Sequence, residues 1–560
     1  MDGGDDRSVK GSLTRGFGAR FVLFGLTFGQ QFLLVPAYLH AWGAGVYQDW
    51  LVIGAVAAMA GLLDLGMQFY FGNRLTMQWA AREEAAYAKT LKIALGCYAV
   101  VTASAIAGIG ALLLLTDPVA LLKLGTMAPD DAFLALAGCT LVNILAVGMG
   151  ILGVLYRTRG RYERSVYMGI LHSLYTVLAT LVCLLLGAGP SQIALVTLGG
   201  VVLFLVVLPW DLRRQFGSLP WGLALPDRAE LRDIAGRGGL YAVGPLYQMS
   251  VTQLPILVLN HLAPAGNAVI LFSIARTLAG MVRQLPAQLA PGIGVEMSIK
   301  YAREDLAGVR SMFLRTSRFL GGVAGFAAGV SLAAAEPFVR IWTGGAVALD
   351  LPVFAVLLAG ILAVSPAIPS QTFLSFTNRP QALTLSYLLH AGLSLLLMLL
   401  LIPGQGAVGA AVALAVGETV AIGLFLPALC HPRLGLPLFA FLAESGLRIA
   451  GAALVSWGLA GAAGALVAPV SPLTLGLFGA LWLAGAVPAA YRMVLSADQR
   501  DWLRQGARHR LARFAGGGIG RAGRSQPQPA GDRAEKAAAE VRSPDGCRDE
   551  AAAQPPSQVG

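Results

Sequence analysis

Apolar runs of about 20 residues recur along nearly the whole of this 560-residue chain, and their length limits the folds that it can adopt. A run of this length is sufficient to cross the hydrocarbon core of a bilayer as an α-helix. The mean hydropathy of +0.67 supports the same interpretation. We therefore predict an all-α fold and a polytopic integral membrane protein.

The runs predict about fourteen transmembrane helices. The first 18 residues are polar, and the first run is too long for the apolar part of a cleavable signal and lacks an Ala-x-Ala sequence. We expect this first helix to remain as an anchor. The predicted spans cover residues 19–42, 49–70, 93–115, 132–155, 165–187, 190–209, 238–261, 267–291, 319–335, 353–376, 383–402, 407–428, 445–467 and 473–494.

The basic residues predict which side of the membrane each connection faces. Nearly all basic residues in the connections between spans lie in every second connection. The other connections hold only Lys123 and Arg340. Because basic connections stay in the cytoplasm, both termini are expected to be cytoplasmic. A net charge of +11 in a soluble protein would favour nucleic acid, but here its placement assigns it to topology, so we predict no nucleic-acid partner.

Other features limit the chemistry that the chain can perform. The predicted external connections are mostly only a few residues long, so we predict neither a catalytic domain nor catalytic residues, and no enzyme. The five cysteines form no Cys-x-x-Cys or Cys/His pattern, which argues against a disulfide or a metal site. The chain has no Gly-x-x-x-x-Gly-Lys-Ser/Thr motif for ATP, and we predict no cofactor.

A repeated connection predicts an internal duplication. The sequence Ala81-Arg-Glu-Glu84 precedes span three and Ala302-Arg-Glu-Asp305 precedes span nine, and further basic residues and a Leu-Gly pair follow each of them. Because the copies are six spans apart, they share one orientation, which predicts two parallel six-helix halves with a cavity between them. Independent drift of charged cytoplasmic connections towards Arg and Glu is the alternative.

The predicted organisation follows from the two halves. Spans thirteen and fourteen fall outside the repeat, a basic amphipathic helix follows them, and a polar tail is expected to be disordered. The parts are a cytoplasmic N-terminal tail at 1–18, a first half at 19–209, a linker at 210–237, a second half at 238–428, two additional helices at 429–494, the amphipathic helix at 495–514 and the cytoplasmic tail at 515–560.

Two arginines lie inside span eight. Arg276 and Arg283 are seven residues apart, so a helix places them on one face, about 10 Å apart along its axis. A charge at membrane depth costs at least about 2.5 kcal/mol, so such residues usually face a protein interior or a wet cavity. We interpret this face as a route for an anion. Pairing with a buried acid, or extension of the side chain to an interface, is the alternative.

Two acids are candidates for coupling transport to a proton. Glu418 lies in the middle of span twelve between small residues, where a carboxyl group either holds a proton or pairs with a cation. Asp64, near the C-terminal end of span two, is a candidate coupling acid, a partner for Arg276 or a hydrated interfacial carboxylate. Pro245 and Pro255 in span seven interrupt helical hydrogen bonding and permit bending.

The start of the chain resembles a known transporter family. Tyr47-Gln-Asp-Trp50 opens span two, Asp64-Leu-Gly66 lies near its end, and Asn73-Arg74 follow. These features are similar to the first helices of the Wzx-type oligosaccharide flippases, the polysaccharide-biosynthesis branch of the multidrug/oligosaccharidyl-lipid/polysaccharide (MOP) superfamily. The span count, the two halves and the basic connections after spans two and eight extend the resemblance to residues 15–495.

The resemblance implies a V-shaped, two-lobed transporter of the bacterial inner membrane that works by alternating access. Its substrate would be an oligosaccharide linked through pyrophosphate to a polyprenyl lipid, exported for surface polysaccharide. Its partners would be the bilayer and polysaccharide assembly proteins. Arginine offers forked donors matched to phosphate oxygens, so the candidate residues for the anionic head group are Arg276, Arg283 and Arg20, which lies at the inner end of span one.

Three other functions stay open on the sequence alone. An exporter of drugs or organic cations, from another branch of the same superfamily, would favour an acidic cavity, in contrast to the basic pair. A membrane polysaccharide polymerase or ligase would need catalytic groups in an external connection, where charged side chains are few: Lys123, Arg340, Glu336 and Asp350. A scaffold of an envelope assembly machine is the third.

Overall fold

The computed structural model describes residues 5–263, 266–377, 380–495, 500–501 and 504, and over these residues the protein is helical without any strand. The chain divides into two compact units, residues 1–496 and 497–560. The second unit contributes only Arg500, Asp501 and Arg504 to the described part. The predicted amphipathic helix at 495–514 lies almost entirely outside the described residues, and the predicted tail at 515–560 wholly so.

Eighteen α-helices follow one another along the described residues. Short 3₁₀ or π turns interrupt them at Ala60–Asp64, Ile234–Gly238, Ser365–Ala367 and Thr419–Phe425. The helices are α1 (Asp5–Met59), α2 (Met67–Ala80), α3 (Glu84–Leu115), α4 (Pro118–Leu121), α5 (Pro129–Thr158), α6 (Tyr162–Leu185), α7 (Pro190–Phe216), α8 (Arg228–Asp233), α9 (Gly239–Thr252), α10 (Leu254–Leu262), α11 (Ala268–Ala302), α12 (Leu306–Trp342), α13 (Leu351–Val364), α14 (Ile368–Phe376), α15 (Pro380–Glu418), α16 (Leu426–Leu434), α17 (Leu438–Leu466) and α18 (Pro472–Met493).

Each predicted span is helical, although spans two, seven, ten and twelve are each divided between two helices. Ten helical stretches of the described residues are long and apolar enough to cross a membrane, and the bent pair of α9 and α10 is an eleventh. Two of the ten, Phe28–Ala80 and Gln381–Leu434, each include two predicted spans. In each stretch two helices follow one another directly and meet at a kink, where the backbone of Gly43 or Gly406 is not helical. Helix α11 covers span eight. The predicted all-α, multi-pass fold is thereby confirmed.

Several helices begin where the sequence supplies a cap. Asp117, Asp350 and Ser471 accept hydrogen bonds from backbone N–H groups at the start of α4, α13 and α18, and a proline occupies the first or second position of each helix. The first N–H groups of a helix have no partner within it, so the caps satisfy groups that would otherwise lack a hydrogen bond. Within each helix the backbone satisfies its own hydrogen bonds, as lipid requires.

The connections predicted as basic loops are largely helical. Helices α3 and α12 begin at Glu84 and Leu306, so the basic residues that precede the apolar parts of spans three and nine lie on their first turns. Each of the turns before these helices contains a residue in the left-handed conformation, but at different positions of the repeated sequence: Arg82 (φ 59°) corresponds to Arg303, and Glu304 (φ 58°) to Glu83. Helix ends usually place glycine there, as Gly160 does after α5. The internal duplication therefore stays a prediction.

The linker between the halves is attached to the first half. Asp227 caps the short helix α8 by accepting from the Glu230 N–H at 2.7 Å. The Lys89 ammonium of α3 lies 2.8 Å from the Glu230 carboxylate, and the Tyr70 hydroxyl of α2 donates to Asp233 at 2.7 Å. Hydrogen bonding to Lys89 lowers the pKa of the Glu230 carboxyl. Since α8 leads through one π turn into α9, these contacts also fix where the second half begins.

Hydrogen bonds also join the halves at the end that the charge pattern predicts to be external. The Lys123 ammonium, beyond α4, donates to the His261 carbonyl at the end of α10, with a separation of 3.0 Å. The neighbouring Asn260 amide donates to the Leu122 carbonyl at 2.5 Å. These bonds hold the predicted external connection of the first half against the end of the broken span seven.

Helix α17 packs against α12 by close backbone contact. A Cβ atom at Gly329 of α12 would lie 2.7 Å from the Ser456 Cβ and 2.8 Å from the Trp457 nitrogen of α17. Glycine leaves the space that this approach needs, and the Ser456 hydroxyl donates to the Phe326 carbonyl at 2.5 Å. The first of the two additional helices at 429–494 is therefore docked on the second half.

We expect Gly329→Leu to destabilise the protein by about 1–3 kcal/mol, because the added side chain forces the two helix backbones apart. The matched control is Gly458→Leu on α17, since nothing lies within 4 Å of a Cβ atom at that position. Thermal unfolding of the two variants in detergent measures the difference. Equal midpoints for both would contradict a role of this contact in docking α17.

Candidate functional site

A cavity of about 310 Å³ lies among helices α9, α11, α13 and α15. Arg276 and Arg283 of α11 both line it, on the shared helix face that their spacing predicts. The polar and charged side chains of its wall are Gln31, Tyr247, Gln248, Thr252, Arg276, Thr277, Arg283, Gln284 and Glu418. The two arginines thus face one polar space inside the helical bundle.

This cavity lies mainly within the second half, whereas the repeat predicts a cavity between the halves. Its described lining comes from the second half, with Gln31 of α1 as the one contribution from the first half. Buried apolar side chains of both halves, such as Ile53 and Ile274, pack together in one core. Close packing of apolar side chains leaves room for a polar cavity only where charged groups prevent it.

Arg283 forms a forked ion pair with Glu418. The guanidinium Nη1 contacts the carboxylate Oε1, and Nη2 donates to Oε2 at 2.6 Å. The Glu418 side chain is 3% exposed, whereas the Arg283 side chain faces the cavity and is 40% exposed. Tyr247 of α9 donates from its hydroxyl to Glu418 at 3.5 Å. The sequence gives these residues separate roles, and the structure makes them partners because each neutralises the cost of burying the other.

Arg276 is held by a backbone carbonyl at the break in span seven. Helix α9 ends at Thr252, and α10 begins two residues later at an angle of 41°. The N–H of Ile256 turns to the Gln253 carbonyl at 3.1 Å, which leaves the Thr252 carbonyl without its helical donor. Arg276 donates to that carbonyl. A cation at the C-terminal end of a helix is also favoured by the helix dipole.

The other two predicted site residues do not join this cavity. Asp64 accepts hydrogen bonds from the Tyr98 hydroxyl at 2.6 Å and from the Gln68 N–H at 3.3 Å. The structure therefore places Asp64 in a hydrogen-bonded site of the first half, and the suggestion that it neutralises Arg276 is wrong; its role as a coupling acid stays a prediction. Arg20 lies in α1, but its side chain is outside the described part of the protein.

A second cavity, of about 370 Å³, adjoins the first. Tyr247, Gln248 and Arg283 line both spaces. The second cavity extends along α14 as far as Phe376, at the end of the helix that the charge pattern predicts to be cytoplasmic. Hydrogen bonds close the opposite end between the halves, so the polar path from the arginines runs towards the predicted cytoplasmic side.

One buried histidine beside the ion pair escapes the sequence-based selection. His390 of α15 is fully buried, and its ring meets the Tyr247 ring edge-on with 5.0 Å between the centroids. Ser250 and Ser394 lie within hydrogen-bond distance of its two nitrogens. The sequence pattern that could have identified His390 is the one that identified Glu418: an isolated titratable residue in the middle of an apolar span.

Comparison with known proteins begins from the sequence. No family model matches the chain, and no curated protein matches it significantly. The structure, in contrast, resembles those of solved membrane proteins. The similarity is therefore one of helix arrangement and not of sequence.

Two kinds of MOP-type transporter share this arrangement. An inward-facing multidrug resistance MATE family transporter of the MOP superfamily matches with a TM-score of 0.56 and 14% identity, over 77% of this chain and 94% of that chain. The lipid II flippase MurJ, in an inward closed conformation, matches with a TM-score of 0.56 and 9% identity, over 82% of this chain and 99% of that chain. A MATE protein in complex with MaL6 matches with a TM-score of 0.51 and 12% identity, over 79% of this chain and 97% of that chain. At these identities the similarity shows the fold: the chain has the fold of MOP superfamily transporters and flippases.

The ion pair in the cavity wall predicts a specific pattern of stability. We expect Arg283→Met or Glu418→Gln alone to cost about 1–3 kcal/mol, less than for a fully buried pair because the Arg283 side chain is 40% exposed. The double variant should be more stable than the sum of the single losses predicts, since no charge is left unpaired. Chemical unfolding in detergent measures the cycle. Additive losses would show that the two side chains are not coupled.

Proposed function

We propose that the protein is a transporter that moves a polyprenyl-pyrophosphate-linked oligosaccharide across the bacterial inner membrane for surface polysaccharide export. The observation that carries this proposal is Arg276, a guanidinium in the wall of a cavity at membrane depth whose described hydrogen-bond partner is a carbonyl and not a carboxylate. Arg283 and Glu418 cancel each other, so the described lining keeps one positive charge in excess. Such a cavity favours an anionic ligand.

A pyrophosphate suits the donors that the cavity presents. A guanidinium has five N–H donors in a planar fork, so Arg276 retains donors for phosphate oxygens while it holds the Thr252 carbonyl. An anion that approaches Arg283 would compete with Glu418 for the same fork, and the released carboxyl group could then take a proton. Glu418 therefore remains a proposed coupling acid, together with Asp64 in the first half.

The remaining polar side chains suit the sugar part of such a substrate. Gln248 and Gln284 line the cavity with amide groups, which both donate and accept hydrogen bonds. The amide oxygen of Gln31 is buried and has no hydrogen-bond partner among the described residues. A buried acceptor of this kind is satisfied when a ligand hydroxyl or a water donates to it. The lipid tail would stay in the bilayer, because only the polar head needs the cavity.

The direction of the polar path supports entry from the cytoplasm. The adjoining cavity reaches Phe376 at the predicted cytoplasmic end of α14. We propose that both termini are cytoplasmic, that Arg20 assists capture of the head group at this side, and that polysaccharide assembly proteins are partners. Export of cationic drugs is less favoured, because a cation would meet Arg276 without a carboxylate to neutralise it.

The test is the export of a surface glycan in a strain whose only copy of the gene carries the variant. Arg276→Ala should reduce export about tenfold or more, because a charged hydrogen bond to the head group is worth about 1.5–3 kcal/mol. Arg276→Lys should rescue part of the export, since it keeps the charge but not the fork. The matched control is Arg492→Ala, at the exposed end of α18. Immunoblots of the membrane fraction verify insertion.

Wild-type export by the Arg276→Ala/Arg283→Ala double variant would overturn the anion route. A gene deletion that leaves the surface glycan intact but sensitises the cells to cationic drugs would instead favour the exporter. Reduced export in the Arg492→Ala control as well would indicate a general loss of membrane protein and would remove the support from Arg276.

A further inference from the structure

His390 lies at the centre of a small polar cluster inside the second half. Its side chain is 0% exposed. The Ser250 Oγ of α9 is 3.3 Å from its Nδ1, and the Ser394 Oγ, one turn further along α15, is 3.2 Å from its Nε2. The imidazole therefore has a hydroxyl group at each nitrogen and no contact with solvent.

The hydrogen bonds define the neutral form of the ring. The Ser250 hydroxyl donates its one proton to the Tyr247 carbonyl at 2.7 Å, so it accepts from His390. Nδ1 therefore carries the hydrogen, and Nε2 accepts from the Ser394 hydroxyl. A second proton on Nε2 requires only that the Ser394 hydroxyl turn to the carbonyl one turn back on its own helix. The cluster can hold the imidazole or the imidazolium without a backbone movement.

The titratable and charged groups that face His390 come from three helices. They are Tyr247 on α9, Arg283 on α11, and Tyr387 and Glu418 on α15. Tyr247 forms the bridge, because its ring meets His390 edge-on and its hydroxyl donates to Glu418 at 3.5 Å. A positive charge on His390 attracts the carboxylate and repels the guanidinium, which weakens the ion pair. Arg283 then has donors available for an anion in the cavity.

The chemistry of the cluster favours a proton over a metal cation. A hard cation such as Na⁺ prefers a shell of oxygen ligands, whereas here the ring nitrogens occupy the space between the two hydroxyl groups. Within the described part of the chain, no group of three or more His, Cys, Asp or Glu side chains is arranged to hold a metal ion.

We propose that His390 is a proton-binding site whose occupation strengthens the binding of the anionic substrate at Arg276 and Arg283. The proposal rests on the proposed function, since it takes a pyrophosphate as the ligand. Linkage is reciprocal, so an anion that binds the protonated form more tightly draws a proton onto the protein as it binds. Proton binding and substrate binding thus meet at the Arg283–Glu418 ion pair.

The test uses farnesyl pyrophosphate as the probe, titrated into the purified full-length protein in detergent. Calorimetry at about pH 8 and about pH 6, on either side of the usual histidine range, in buffers of different ionisation enthalpy gives the number of protons taken up on binding. Wild-type protein should take up more protons than His390→Gln. If one full proton is taken up, the Kd of the wild type for the probe should fall about tenfold, relative to that of His390→Gln, for each unit by which the pH is lowered. The matched control is Ser386→Ala, which removes another buried hydroxyl of α15 that donates to the Ala382 carbonyl of its own helix; it keeps the cluster and should keep the excess uptake.

Three results would contradict this proposal, and they differ in what they imply for the proposed function. Equal uptake by wild type and His390→Gln, with the probe still bound through Arg276, would overturn this proposal and leave the proposed function intact. Loss of the excess uptake in Ser386→Ala as well would also overturn it, because packing within α15 and not the imidazole would then control the effect. Absence of probe binding to the wild type would contradict the proposed function, and this proposal with it.

Discussion

An arginine at membrane depth must find a partner, and the partners of two arginines determine how the second half of this protein is assembled. Arg283 binds Glu418 through a fork of two hydrogen bonds, which ties α11 to α15. Arg276 binds the carbonyl that the break after α9 leaves free, which ties α11 to span seven. These two interactions differ in kind, since a carboxylate neutralises a guanidinium and a carbonyl only solvates it. That difference leaves one positive charge facing the cavity.

The polar path depends on the same charges. Apolar side chains of both halves pack in one core, and the cavity lies where charged and amide groups of the second half interrupt such packing. Arg283 lines both cavities, whereas Glu418 and Arg276 line only the first, so Arg283 stands between the Phe376 end and Arg276. The bend between α9 and α10 supplies the carbonyl that holds Arg276, which couples the shape of span seven to the charge of the cavity.

The parts of the site that the sequence predicted are those that follow from local periodicity. A spacing of seven residues placed Arg276 and Arg283 on one helix face, and both line one cavity. The sequence missed the partner of Arg283, because Glu418 is 135 residues away and nothing local relates the two. It offered Asp64 as a partner for Arg276, although Asp64 is held by Tyr98 in the other half.

By itself, the sequence determined the class of the protein and the course of its chain: a helical membrane protein, its spans, and the residues that carry charge inside them. Hydrophobicity and helical period are properties of consecutive residues, so they can be read without coordinates. The tertiary structure alone decided which charge neutralises which, where the cavity lies and that His390 stands beside the ion pair. Those facts depend on the packing of α9, α11 and α15, since Coulomb energy and hydrogen bonding follow distance in space and not distance along the chain.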